Sequence, residues 1–215
     1  MKLVIGDKNY SSWSMRPWVL LKHFGIPFDE ALIELYEPGS KAAILAHSPS
    51  GKLPCLITDE GFGVWDSLAI AETLAERFAQ HALWPRAETA RAHARSVSAE
   101  MHSGFAELRQ RMSMNIRAPF AGKGATPGAL ADIARIEALW RDCLDTYGGP
   151  FLFGEFSIAD AMYAPVVMRF NTYQPALSEV ASAYARRVTA LPAVQAWIED
   201  ALRETHRIPK EDVCE

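Results

Sequence analysis

Two serines stand side by side at Ser11 and Ser12, followed by Trp13-Ser14-Met15-Arg16-Pro17. Proline lacks an amide hydrogen and fits the first turn of a helix, so a helix is expected to begin near Ser12 to Ser14. Both serines then fall at or just before a helix N-terminus, where free N–H groups and the positive end of the dipole favour an anion such as a thiolate. A hydroxyl there can hydrogen-bond a sulfur anion and lower the pKa of the parent thiol. Serine is also a good N-cap with no ligand present, and this segment alone leaves both roles open.

A second segment, Ser50-Gly51-Lys52-Leu53-Pro54-Cys55, places a proline at the opening of a strand. A cis Leu53-Pro54 bond would turn the backbone of Leu53 outward at a sheet edge, where an extended peptide could pair with it; a trans bond would make Pro54 an ordinary strand start. A third segment, Val64-Trp65-Asp66-Ser67, sets an acid and a hydroxyl at a helix start. They either cap that helix or offer a matched pair to a ligand with an ammonium and a carboxylate. The histidines (23, 47, 81, 93, 102 and 206) show no H-E-x-x-H spacing or tight cluster, so no metal site is expected. Cys55, Cys143 and Cys214 are widely spaced with no C-x-x-C, which suits reduced thiols rather than a disulfide framework.

The elements that must position these residues follow from hydrophobic pattern. Leu3 to Ile5 reads as a strand and is followed by a helix ending near Phe24-Gly25; Phe28 to Leu35 reads as a second strand and Ser40 to Ala46 as a short helix. Leu53 to Thr58 and Phe62 to Trp65 flank Asp59-Glu60-Gly61 as an antiparallel hairpin, and a helix runs from Ser67 to Phe78. The order β-α-β-α-β-β-α implies a small mixed sheet covered by helices. After Trp84-Pro85 the texture becomes helical: Thr89 to Met112, then a Gly- and Pro-rich loop from Pro119 to Gly128, then Gly128 to Asp145. Ser157-Ile158-Ala159-Asp160 forms a capping-box signature before a buried helix reaching Phe170. A last helix, Leu191 to Thr205, is expected to carry Trp197 and Leu202 on its apolar face, leaving a polar tail.

Composition bounds the function. The chain has 215 residues, 49% of them hydrophobic and 22% charged, as in an ordinary globular protein. With 22 Lys and Arg against 26 Asp and Glu, its formal charge is -4 and it has no basic run to track a phosphate backbone, so nucleic-acid binding is not expected. The apolar stretch at Leu3 to Ile5 is too short for a secretory h-region and no run reaches the ~18 apolar residues of a membrane span, so a cytoplasmic protein without a membrane partner is expected.

Taken together, the Ser11-Ser12-Trp13-Ser14-Met15-Arg16 element, the Leu53-Pro54 pair, Asp66-Ser67 and the Ser157 to Asp160 box occur in the order and spacing of the cytosolic glutathione transferases. The resemblance covers nearly the whole chain, and the serine element looks most like the zeta class, which includes maleylacetoacetate isomerases. It implies a thioredoxin-like glutathione-binding domain over residues 1–80 and an all-helical domain over 86–215 that forms the electrophile site. It further implies Ser11 as the residue that activates the glutathione thiol, supported by Ser12 and the amide of Trp13. Leu53 would pair with the cysteinyl backbone, Asp66 and Ser67 would hold the γ-glutamyl end, and Lys41, with Lys52 second, would take the glycyl carboxylate. The partners implied are glutathione, a small electrophile and a second copy in a homodimer. Three departures stand out: Trp13 replaces the zeta-class cysteine, Asp66 replaces a longer Glu or Gln, and Arg169 lies about one turn before the carboxylate-binding arginine of that class. A glutathione-dependent cis-trans isomerase of a maleyl-type diacid is the second reading, requiring Arg169 or Arg117 to point inward. A non-catalytic ligand- or partner-binding protein of the same fold is the third.

Overall fold

The structure is a computed structural model that describes residues 1–213. Its first half runs β1 (Lys2–Gly6), α1 (Ser12–His23), β2 (Asp29–Ile33), α2 (Ser40–Leu45), β3 (Cys55–Ile57), β4 (Gly63–Val64) and α3 (Ser67–Arg77), the order expected from sequence. The four strands form one mixed sheet ordered β2-β1-β3-β4, with β2 parallel to β1 and the other two pairings antiparallel. Leu3, Val4 and Ile5 are wholly buried because β1 has a strand on each side and helices over its faces, which is why it reads as a continuous apolar run. Helix α1 starts at Ser12, so Pro17 is its sixth residue and lies inside the helix rather than in the first turn. A proline there cannot donate to the carbonyl four residues back, that of Trp13.

The second half contains α4 (Glu88–Ser103), α5 (Ala106–Arg111), α6 (Pro127–Tyr147), α7 (Ile158–Tyr173), α8 (Glu179–Thr189), α9 (Pro192–Arg203) and a 3₁₀ turn at Pro209–Glu211. The single helix expected from Thr89 to Met112 is therefore broken. Phe105 takes a left-handed φ of 59° and buries its ring, while a Cβ on Gly104 would meet the Glu100 carbonyl at 2.8 Å. Helix α8 had no counterpart in the sequence reading. Trp197 is buried in α9 as expected, but Leu202 is 58% exposed. It stands five residues from Trp197, off the stripe made by Ala193, Val194, Trp197 and Ala201.

Helix α7 is the axis of the molecule, buried over almost its whole length and packed against α1, α4 and α8. Its start is fixed by the expected capping box, in which Asp160 accepts from the amides of Leu152 and Ser157 and from the Ser157 and Tyr184 hydroxyls. Helix α1 bridges the halves by packing on α7 and α9. There Trp18 meets Trp197 edge-on at 5.2 Å, and buried Lys8 pairs with Glu30 and Asp200 at 2.8 and 2.6 Å. The tail after α9 is not simply polar. Ile208 is buried, its amide donates to the Tyr10 hydroxyl, Arg117 holds the carbonyls of Glu204 and His206, and Asn115 holds that of Glu211. Cys55 and Cys143 are buried free thiols; Cys214 lies outside the described residues.

Candidate functional site

Four pieces of chain converge on a cavity of about 640 Å³: the start of α1, the segment before β3, the β4–α3 junction and the last turn of α4. That volume suits a small-molecule ligand. Leu53 and Pro54 line one wall with Ser50 and Lys52 beside them. The Leu53-Pro54 bond is cis, the isomer the sequence could not decide. Among the described residues no backbone hydrogen bond closes on Leu53, so its peptide groups are available to an extended ligand.

Asp66 and Ser67 line the opposite wall. The capping reading of Asp66 is realised, and its second carboxylate oxygen meets the helical half. Its Oδ1 caps α3 by accepting from Leu68 and Ala69 at 2.9 and 3.3 Å, and its Oδ2 lies 2.8 Å from His102 Nε2 on the helical half. Ser67 is fully buried and its hydroxyl accepts from Arg16 at 3.3 Å, leaving its own proton for a ligand acceptor. Lys52, the second choice for the glycyl carboxylate, lines the cavity, whereas Lys41 does not; its ammonium donates to the Gly51 carbonyl at 3.2 Å.

Ser11 occupies the N-cap of α1. Its Oγ accepts from the Ser14 amide at 3.4 Å and donates to Ser14 Oγ at 2.7 Å. Ser12 Oγ accepts from Arg169 at 3.3 Å. Both serines are buried and stand beside the cavity rather than in its lining, which Trp13 reaches with its ring. A hydroxyl can rotate from one acceptor to another, so the capping geometry leaves Ser11 able to donate to a sulfur placed at the helix start.

Cationic charge gathers around Trp13, offset in part by Asp66, Asp132 and Glu211. Arg16 and Arg109 place their guanidinium carbons 4.2 and 5.0 Å from the ring, and Arg169 lies one serine away. No carboxylate forms an ion pair with any of the three among the described residues, and the Nε atoms of Arg16 and Arg109 are buried without partners. Burial, reinforced by Arg109 and Arg169, pushes the Arg16 pKa down to about 9, and burial together with Arg109 brings Arg169 to about 10. All remain cationic at neutral pH, and such a cluster is stabilised by an incoming anion. Arg109 and Arg169 line a second pocket of about 210 Å³ together with Tyr10, Trp13 and Met114. Met101 and Met112 are core residues, and Ile116 lies outside both cavities. Arg117 does not point inward, since it holds the C-terminal segment.

The sequence assigns no role to Arg109 and none to Arg16 beyond its place in the serine element. That place is the signal for Arg16. Arg109 became visible only with the break at Gly104, which turns α5 back so that Arg109 bonds the carbonyls of Met101 and His102 beside Trp13. Among the described residues no group of three or more His, Cys, Asp or Glu is placed to hold a metal ion.

A thioredoxin-like sheet with a cis-proline wall, joined to a helical half that closes the cavity from above, defines a class, and comparison with known families agrees. The models of the glutathione S-transferase N-terminal and C-terminal domains match residues 10–77 and 87–200, and the chain belongs to the glutathione S-transferase family, with glutathione as substrate or cofactor. Among individual proteins it is similar to a probable maleylacetoacetate isomerase of Caenorhabditis elegans, 27% identical over 78% of this chain and 77% of the relative. It is also similar to the maleylacetoacetate isomerase of Pseudomonas aeruginosa, 35% identical over 46% and 47% of the two chains. The fold matches a bacterial zeta-class maleyl pyruvate isomerase with TM-score 0.74 and 24% identity over 96% of this chain and 100% of the other. It likewise matches a glutathione transferase of Methylococcus capsulatus with TM-score 0.72 and 26% identity over 93% and 98% of the two chains.

Proposed function

We propose that glutathione lies across the 640 Å³ cavity, its cysteinyl backbone paired with Leu53, its γ-glutamyl end on Asp66 and Ser67 and its glycyl carboxylate on Lys52 rather than Lys41. The sulfur then faces the N-terminus of α1, where the Ser11 hydroxyl, supported by Ser12 and the Trp13 amide, stabilises the thiolate for attack on a small electrophile. Lowering a thiol pKa by about two units asks roughly 3 kcal/mol of this site, within reach of one charge-assisted hydrogen bond plus a helix N-terminus. Residues 1–80 form the glutathione-binding domain and 86–215 the domain that receives the electrophile. The observation that carries the reading is the meeting of Leu53, Asp66 and Ser67 on one cavity. Titration calorimetry tests it: glutathione binds with a Kd in the micromolar to millimolar range, and a silent titration would sink the proposal. We further propose that the protein acts in the cytoplasm as a homodimer that detoxifies electrophiles.

One observation favours a glutathione-dependent isomerase of a maleyl-type diacid: Arg109 and Arg169 line the second pocket without a carboxylate ion pair, Arg109 Nε buried with no partner and Arg169 held by the Met112 and Pro165 carbonyls and the Ser12 hydroxyl. Such a pocket favours a substrate with its own carboxylate. In that case kcat/KM for iodoacetate should exceed that for the isosteric iodoacetamide after correction for the uncatalysed rates, and Arg109→Gln should lower the ratio by about tenfold, near 1.4 kcal/mol. Equal treatment of the two probes by the parent protein would remove this reading.

A further inference from the structure

Trp13 is the one residue common to the linings of the 640 Å³ cavity and the 210 Å³ pocket. Its ring is held from both halves of the molecule. Arg16 of α1 lies over it at 4.2 Å, Arg109 of α5 at 5.0 Å, and the His102 ring meets it edge-on at 5.2 Å. These holders are themselves fixed: Arg16 on Ser67, His102 on Asp66, and Arg109 on the carbonyls at the end of α4. The indole is therefore a braced wall rather than a loose flap. Trp13 thus borders both the cavity that would hold glutathione and the arginine-lined pocket.

From this arrangement, and resting on the glutathione reading above, we infer that Trp13 is the specificity-determining partition of this enzyme. Its ring separates the thiol from the second pocket and admits only electrophiles small or flat enough to pass beside it. A bulky group on sulfur must either displace a ring held by three neighbours or stay out of the second pocket. Shortening the side chain joins the two spaces and opens that pocket to larger substituents.

S-methylglutathione and S-benzylglutathione read this directly, because they share every peptide contact and differ only in the group on sulfur. Their Kd values are measured by calorimetry on the parent, Trp13→Ala, Trp13→Cys and Trp13→Phe. The two small variants should shift the benzyl-to-methyl affinity ratio toward benzyl by about tenfold or more, while Trp13→Phe stays within about threefold of the parent. Either small variant suffices should the other fail to fold. An unchanged ratio in a variant that still binds glutathione would overturn the partition alone. Failure of the parent to bind glutathione at all would overturn the reading of the cavity, and this inference with it.

Discussion

The Ser11 hydroxyl is engaged twice without ligand, accepting from the Ser14 amide and donating to the Ser14 hydroxyl. Loss of such a cap costs about 1 kcal/mol of stability, so any substitution there must be read for folding as well as chemistry. Ser11→Thr keeps both an acceptor for the cap and a donor for sulfur, which makes it the proper companion to Ser11→Ala. The two serines, Leu53, Asp66 and Ser67 could be singled out from residue type and spacing because each stands at a local feature, a helix start or a proline turn. Which of Lys41 and Lys52 borders the cavity was not legible, since what separates them is the close approach of the Lys41 ammonium to the Gly51 carbonyl. The contact of His102 with Asp66 was not legible for a related reason. Asp66 sits on another helix in the other half, and no periodicity reports a contact of that range.

At the scale of elements, strands and long helices followed from pattern, and the failures have physical causes. Gly104 can sit inside a helix, so nothing local announces a break that depends on burying Phe105. Helix α8 was readable, since Ser178 caps it and Ala181, Tyr184, Ala185 and Val188 recur at helical spacing, but the segment is short and polar between those positions. The capping box of α7 is completed by a tertiary hydroxyl, that of Tyr184, so four donors face the Asp160 carboxylate. Asp160→Asn turns an amide N–H toward those donors and should destabilise the protein by about 2 to 3 kcal/mol, measured by urea unfolding. A loss below about 0.5 kcal/mol would contradict this role.

The C-terminal segment offers a test in pH. Burial opposes protonation of His206, but hydrogen bonds and charge from Asp7, Glu37 and Glu34 outweigh it and hold its pKa above the ordinary value. A histidine raised on folding contributes stability that is complete below its unfolded pKa of about 6.5 and is lost as pH climbs through the folded value. The difference in thermal midpoint between the parent and His206→Gln should therefore shrink as pH rises above about 6.5. A difference that grows with pH would reverse the assignment.

For the whole molecule, one continuous apolar cluster runs from Leu3 and Ile5 through α1 and α7 to Trp197. Two halves that share a core are expected to unfold together, so scanning calorimetry should record a single transition; two resolved transitions would contradict the shared core. Among the described residues no helix is long and apolar enough to cross a membrane. The same union of halves brings α4 and α5 over the N-terminus of α1 and makes one site of two sequence-distant parts. That site's central task is ionisation of the bound thiol. The most direct test is a pH titration of the thiolate ultraviolet absorbance of bound glutathione in the parent, Ser11→Thr and Ser11→Ala. A thiol pKa about two units below that of free glutathione in the parent, largely kept by threonine and returned toward the free value by alanine, is the predicted result. The same lowered pKa in Ser11→Ala, or no lowering in the parent, would contradict the assignment of Ser11 as the activating hydroxyl.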